Sequence, residues 1–153
     1  MAAIWVHAAV GKDGLVQPSA FELLSKARSL GEDVAAVVLG PGAASSAAAL
    51  GDHGARTLFA CDDAVFAEHP AEPAVHVLAE LAHRHEPELI LFAPGCESRE
   101  VAGRLQGVLG TTLVSNVDDL VSSDHVQLRV ALSVWPGRPG NMRGGVAGTK
   151  VVD

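Results

Sequence analysis

The stretch Leu89–Ser115, LILFAPGCESREVAGRLQGVLGTTLVS, decides the fold of this chain. Four apolar residues come first, and a turn with Pro94 and Gly95 follows. Apolar residues then recur at helical spacing until Gly110, which is typical of a helix end. This order of strand, glycine turn and helix start is one that many proteins use to hold a phosphate. The stretch therefore predicts one strand–helix unit and raises the question of a nucleotide site.

The same alternation of strand and helix recurs upstream. Continuous apolar runs such as Val34–Leu39 are typical of strands that are covered on both faces. Strands are predicted at Ile4–Ala8, Val34–Leu39, Thr57–Ala60 and Glu88–Ala93, and helices from Pro18 to Leu30, at Ala43–Leu50, Ala74–His85 and Arg99–Leu109. Ser19 and Glu22 have the spacing of a capping box, and Cys61–Pro73 is predicted to be a loop. The pattern predicts a three-layer α/β/α domain with a mostly parallel sheet.

The pattern changes after Thr112. Leu113–Leu120 is predicted to be extended, and Val126–Trp135 alternates partly between apolar and polar residues, as a strand with one exposed face does. Because no helix separates these segments, we expect a hairpin around Ser122–Asp124, and hence an antiparallel extension of the sheet. Residues 1–153 are interpreted as one domain.

Composition excludes several classes of function. Apolar residues make up 48% of the chain and charged residues 19%, and the net charge is -7. An acidic chain without clusters of Lys or Arg is not expected to bind nucleic acid. No signal peptide or membrane span is recognised, which predicts a cytoplasmic protein. The two cysteines, Cys61 and Cys96, form no metal pattern, and we identify no catalytic residues and no metal site.

A ligand is expected beyond the carboxyl ends of the first and fourth strands, where the strand order of such sheets reverses. Gly95 lies in the turn after the fourth strand, and the backbone N–H groups of Glu97, Ser98 and Arg99 could donate to a phosphate there. Gly40, after the second strand, is the second candidate contact. Glu97 leaves two interpretations open, since its carboxylate could instead cap the helix itself. Among the histidines, His7 alone ends a strand at the expected site.

Three stretches resemble the N-terminal domain of the electron transfer flavoprotein alpha subunit. They are FELLSKARSLG (Phe21–Gly31) followed by VAAVVLG (Val34–Gly40), AALGDHGARTLF (Ala48–Phe59), and PELILFA (Pro87–Ala93) followed by REVAGRLQGVLGTTLVSNVDDL (Arg99–Leu120). Their order and spacing together are more specific than any single motif. The resemblance covers residues 4 to 120.

The resemblance implies a fold of the adenine-nucleotide alpha-hydrolase type, which is Rossmann-like and shared with universal stress proteins. It implies a non-catalytic scaffold that pairs with a beta-like subunit and supports a flavin domain. FAD belongs to the family's second domain, whose motifs are not found here, so no cofactor is expected on this chain, although AMP is left open. Several alternatives also stay open. The chain could be a fragment of a longer subunit or a stand-alone relative, and its partner could be a separate FAD-binding domain or a second copy of the chain. It could also be an AMP/ATP-binding module that resembles universal stress proteins.

Overall fold

In a computed structural model of the chain, residues 4–117 and 131–134 are described. The strands are β1 (Ile4–His7), β2 (Val34–Leu39), β3 (Thr57–Cys61), β4 (Leu89–Phe92), β5 (Val114–Val117) and β6 (Ala131–Val134). The helices are α1 (Pro18–Leu30), α2 (Ala47–Asp52), α3 (Val65–Glu68), α4 (Ala71–His85) and α5 (Cys96–Leu109), and a 3₁₀ turn at Ala44–Ser46 precedes α2.

The six strands form one sheet in the order β3-β2-β1-β4-β6-β5. All pairings between these strands are parallel. β1 is central, because it pairs with β2 on one side and with β4 on the other. Parallel strands need long crossover connections, which the helices supply here.

Both faces of the sheet are buried at β1, β2 and β4. Neighbouring residues of a strand point to opposite faces, and Trp5 packs in one apolar cluster with Leu78 of α4 and Leu105 of α5. Val6 packs in the opposite cluster with Leu24 of α1. The sheet therefore lies between two layers of helices, which confirms the predicted three-layer α/β fold.

The predicted antiparallel extension is wrong for the strands that the structure describes. β5 and β6 pair in parallel, and β6 also pairs in parallel with β4, so β6 lies between β4 and β5. The predicted turn at Ser122–Asp124 lies outside the described residues.

Two local predictions are also wrong. α1 begins at Pro18 with Gln17 as its N-cap residue and without a side-chain cap. Ser19 is therefore already inside the helix, because proline is well suited to the first helical position. The segment Cys61–Pro73, predicted to be a loop, contains α3 and the first residues of α4.

Candidate functional site

A hollow of about 230 Å³ opens at the carboxyl ends of β1 and β2. Four segments form its walls: the end of β1 with the loop after it, the end of β2, the α3–α4 segment and the first turn of α5. β1 has β2 on one side and β4 on the other, so the strand order reverses at β1. The hollow lies next to this reversal point. Open parallel sheets bind ligands at such a point.

The loop between β1 and α1 is a small, internally braced hairpin. Val10 and Val16 form an antiparallel bridge, and the N–H of Gly11 donates to the carbonyl of Leu15 at 2.8 Å. The loop places Lys12 in the wall of the hollow. Because its hydrogen bonds are made within the loop, this wall is held without help from a ligand.

Two glycine turns interlock beside the hollow. Gly42, in the turn after β2, has φ of 91°, and a Cβ atom built on it would lie 2.6 Å from the carbonyl oxygen of Gly14. Only glycine allows both this backbone conformation and this close approach. The turn after β2 is fixed to the sheet as well, since the N–H of Gly40 donates to the carbonyl of Cys61 at 2.8 Å.

His7, the last residue of β1, contributes a buried imidazole to the wall of the hollow. The side of β1 on which it lies is apolar, and the centre of its ring is 5.1 Å from that of Phe92. Burial lowers the pKa of His7 to about 4, so the ring is neutral at neutral pH. Among the described residues, its Nδ1 is the buried side-chain polar atom that lacks a hydrogen-bond partner.

The start of α5 has an exposed first turn. Its N-cap residue is Gly95, and the N–H of Arg99 donates to the Gly95 carbonyl at 3.0 Å. Glu97 lies in the first turn, and the N-cap residue Gly95 provides no side-chain cap. Capping of this helix by the Glu97 carboxylate stays a prediction.

The candidate residues predicted from the sequence do not all converge. Gly40 and Glu97 line the hollow. Gly95, Ser98 and Arg99 belong to the start of α5 and are not among the described residues that line it. Ser98 is buried, whereas Gly95 and Arg99 are exposed. A nucleotide loop made of all five residues stays a prediction.

Sequence reasoning missed one wall of the hollow. Phe66 of α3 is buried and lines it, although the segment was predicted to be a loop. A signal was present, because Asp63 precedes the apolar pair of Val65 and Phe66. The Asp63 Oδ1 atom accepts a hydrogen bond from the N–H of Val65 at 2.9 Å, and such Asx turns start helices and turns.

The described residues lack both a metal-ligand cluster and a membrane-spanning helix. Residues 4–117 and 131–134 contain no group of three or more His, Cys, Asp or Glu that could hold a metal ion. Within the same ranges, no helix has the length and apolarity needed to cross a membrane. Cys61 and Cys96 are both free thiols.

Comparison with known proteins identifies relatives over most of the chain. The alpha subunit of the electron transfer flavoprotein of Mycobacterium tuberculosis (strain H37Rv) is 34% identical over 109 residues, which are 71% of this chain and 34% of that subunit. The corresponding subunit of Syntrophomonas wolfei is 32% identical over 105 residues, 69% of this chain and 33% of the subunit. That of Clostridium acetobutylicum is 29% identical over 144 residues, 91% of this chain and 42% of the subunit.

The chain thus spans about a third of the length of the first two of these relatives. The model of the electron transfer flavoprotein domain matches residues 4–135, from the start of β1 to just past the end of β6. The match includes every wall of the hollow described above. The chain belongs to the electron transfer flavoprotein family, in which it corresponds to the N-terminal domain of the alpha subunit.

Proposed function

We propose that this chain is a non-catalytic platform that pairs with an electron transfer flavoprotein beta-like subunit. In that assembly it supports electron transfer by an FAD that another domain binds. Its role is that of an electron-carrier component rather than of an enzyme.

The observation that carries this proposal is the extent of the family match. It extends from residue 4 to residue 135, and this range includes every strand of the described sheet. The three relatives named above are all electron transfer flavoprotein alpha subunits. A scaffold role also agrees with the fold, because both faces of the sheet are filled by helices and their apolar side chains.

Co-purification with a beta subunit tests the proposal. The chain is expressed together with the beta-like subunit from the same genome, and the mixture is measured by size-exclusion chromatography with light scattering. We expect a complex whose mass equals one copy of each chain. The chain measured alone gives the reference mass and shows whether it forms a homodimer.

Competition gives this experiment a control. A complete alpha subunit that pairs with the same beta subunit should displace the chain, because both would use the same surface. If the complete alpha subunit forms a complex with the beta subunit and this chain does not, the platform role is wrong.

A second candidate is a stand-alone module that binds AMP or ATP, as universal stress proteins do. The observation that favours it is the position of the hollow at the carboxyl ends of β1 and β2, where open parallel sheets bind ligands. Calorimetric titration with AMP, ADP and ATP tests it. Titrations without heat of binding at millimolar nucleotide would end this alternative.

A further inference from the structure

The hollow beside His7 is the right size for a small molecule. At about 230 Å³, it is smaller than the roughly 300–1,000 Å³ of pockets that hold drug-sized ligands. It is nevertheless several times larger than the roughly 30 Å³ that one water molecule occupies. A single ring with short substituents fits this range better than a complete nucleotide does.

The lining of the hollow combines apolar side chains with a histidine that has one unsatisfied nitrogen. Phe66, Pro41 and Pro70 are the larger apolar members of this lining. His7 lies in the same wall, and its Nδ1 has no partner in the described chain. Buried polar groups almost always have a hydrogen-bond partner, so this exception in a residue beside the hollow calls for an explanation. The Nδ1 atom is not accessible to solvent in this structure. The imidazole ring must therefore rotate before Nδ1 can form a hydrogen bond with a ligand in the hollow.

The charges around the hollow argue against an anionic ligand. Lys12 and Glu97 line it with opposite signs, and together they leave no net charge. The neutral imidazole of His7 adds none. The start of α5 would favour a phosphate through its N–H groups and its dipole, but Glu97 adds a negative charge to that first turn.

We propose that this hollow binds a small, uncharged, nitrogen-containing aromatic ring, which packs against Phe66 and exchanges a hydrogen bond with His7. A neutral imidazole has one donor and one acceptor nitrogen, and a neutral heteroaromatic ring offers the complementary pair. The site differs from a phosphate site at Gly95–Arg99, since it needs neither Ser98 nor Arg99. It also does not rest on pairing with a beta subunit.

Ligand titration of the whole chain tests the proposal. Adenine and nicotinamide serve as uncharged rings, and AMP and inorganic phosphate as anions, each followed by calorimetry and by NMR shifts of the protein. We expect saturable binding of at least one uncharged ring, with shifts of the His7 ring signals. We expect no binding of phosphate, and we expect AMP to bind no more tightly than adenine. The proposal is overturned if neither ring binds at millimolar concentration, or if AMP binds tenfold or more tightly than adenine.

Variants localise the binding. Ala67 is exposed and lines the hollow, so Ala67→Trp should fill it from outside the core and weaken ring binding at least tenfold. Ala64→Trp is the matched control, because Ala64 is exposed in the same segment but is not part of the lining. Equal binding by both variants would place the ring elsewhere and contradict the proposal.

His7→Phe tests the hydrogen bond. It keeps an aromatic ring of similar shape but removes both nitrogens, and we expect ring binding to weaken about fivefold to tenfold, as the loss of one neutral hydrogen bond does. Unchanged affinity in this variant would contradict the role of His7. If the variant does not fold, the comparison of Ala67→Trp with Ala64→Trp still decides whether the hollow is the site.

Discussion

The loops after β1 and β4 both reach the carboxyl edge of the sheet, but they are built differently. The loop after β1 is braced by the bridge between Val10 and Val16, and its Gly14 interlocks with Gly42 of the turn after β2. The loop after β4 is a simple entry into α5 through Gly95, whose backbone is extended. The first loop borders a hollow beside a buried histidine, whereas the second leads directly into a helix.

This difference shows why a glycine turn before a helix is weak evidence for a site. Such a turn satisfies the geometry of a helix start with any residue that can be extended, and Gly95 needs no special conformation. The hollow instead lies beside two turns that are in close contact at Gly42 and Gly14. If the braced loop contributes more to stability and ligand binding than the start of α5 does, substitutions in these two segments should differ in their effects.

The largest expected effect is the dependence of stability on pH through His7. The pKa of His7 is lowered from 6.5 to about 4 by burial. Above pH 6.5, His7 is neutral in both the folded and the unfolded state, so the free energy of unfolding has its full value. Between pH 6.5 and 4, His7 is protonated only in the unfolded state, and the free energy of unfolding falls. The loss should reach about 3 kcal/mol by pH 4 and then level off. Urea unfolding at a series of pH values measures it.

The control for this experiment separates His7 from the other titrating groups. His7→Phe should lose about 3 kcal/mol of this pH dependence, whereas the same substitution at His76, which is exposed on α4, should keep it. An unchanged pH profile in His7→Phe would show that the histidine beneath the braced loop is not buried as described.

Gly42→Ala should have the next largest effect. The new Cβ would lie 2.6 Å from the carbonyl oxygen of Gly14, in a backbone with φ of 91°. Relief requires the two turns to separate, and we expect a loss of about 2–3 kcal/mol. Gly103→Ala is the matched control, because its Cβ would meet nothing within 4 Å in the exposed part of α5. The free energy of unfolding of Gly103→Ala should rise by up to about 1 kcal/mol. Chemical denaturation of both variants measures the difference.

The sequence was sufficient to predict most of this fold. Apolar runs such as Val34–Leu39 are dictated by burial on both faces, and the structure has each of the four predicted strands of the parallel sheet. The direction of β5 and β6 could not be predicted from local periodicity. It depends on the strand beside which β6 pairs. β6 inserts beside β4, a long-range choice that a window around Ala131 does not contain.

The location of the candidate site could be predicted only in part. The sequence predicted a site beyond the ends of the first and fourth strands, whereas the hollow lies at the ends of β1 and β2 and receives only Glu97 from the described segment after β4. Its walls depend on contacts between distant segments, such as Phe66 of α3 against the end of β2. Such contacts follow from packing in three dimensions and have no signature of their own in the sequence.

Gly95→Ser tests the start of α5 and should change stability little. The backbone of Gly95 is extended, with φ of 163° and ψ of 156°, and a Cβ atom would meet only Ser98 Oγ at 3.9 Å. Serine is also a good N-cap residue, so we expect a gain of a few tenths of a kcal/mol. A loss like that of Gly42→Ala would mean that both loops are equally constrained, and the contrast between them would fail. Thermal denaturation of the two variants in parallel measures it.

Arg99→Ala should have the smallest effect, within about 0.5 kcal/mol of the unchanged chain. Arg99 is exposed on the first turns of α5, and pairs made by exposed arginines usually add little because water screens them. Arg104→Ala is a suitable control, since exposed Arg104 pairs with Glu100 one turn away at 2.7 Å.

The same two variants also test where a ligand binds. Neither should alter the binding of an uncharged ring, because neither residue lines the hollow among the described residues. A selective loss of ring or AMP binding in Arg99→Ala would move the site from the braced loop to the start of α5.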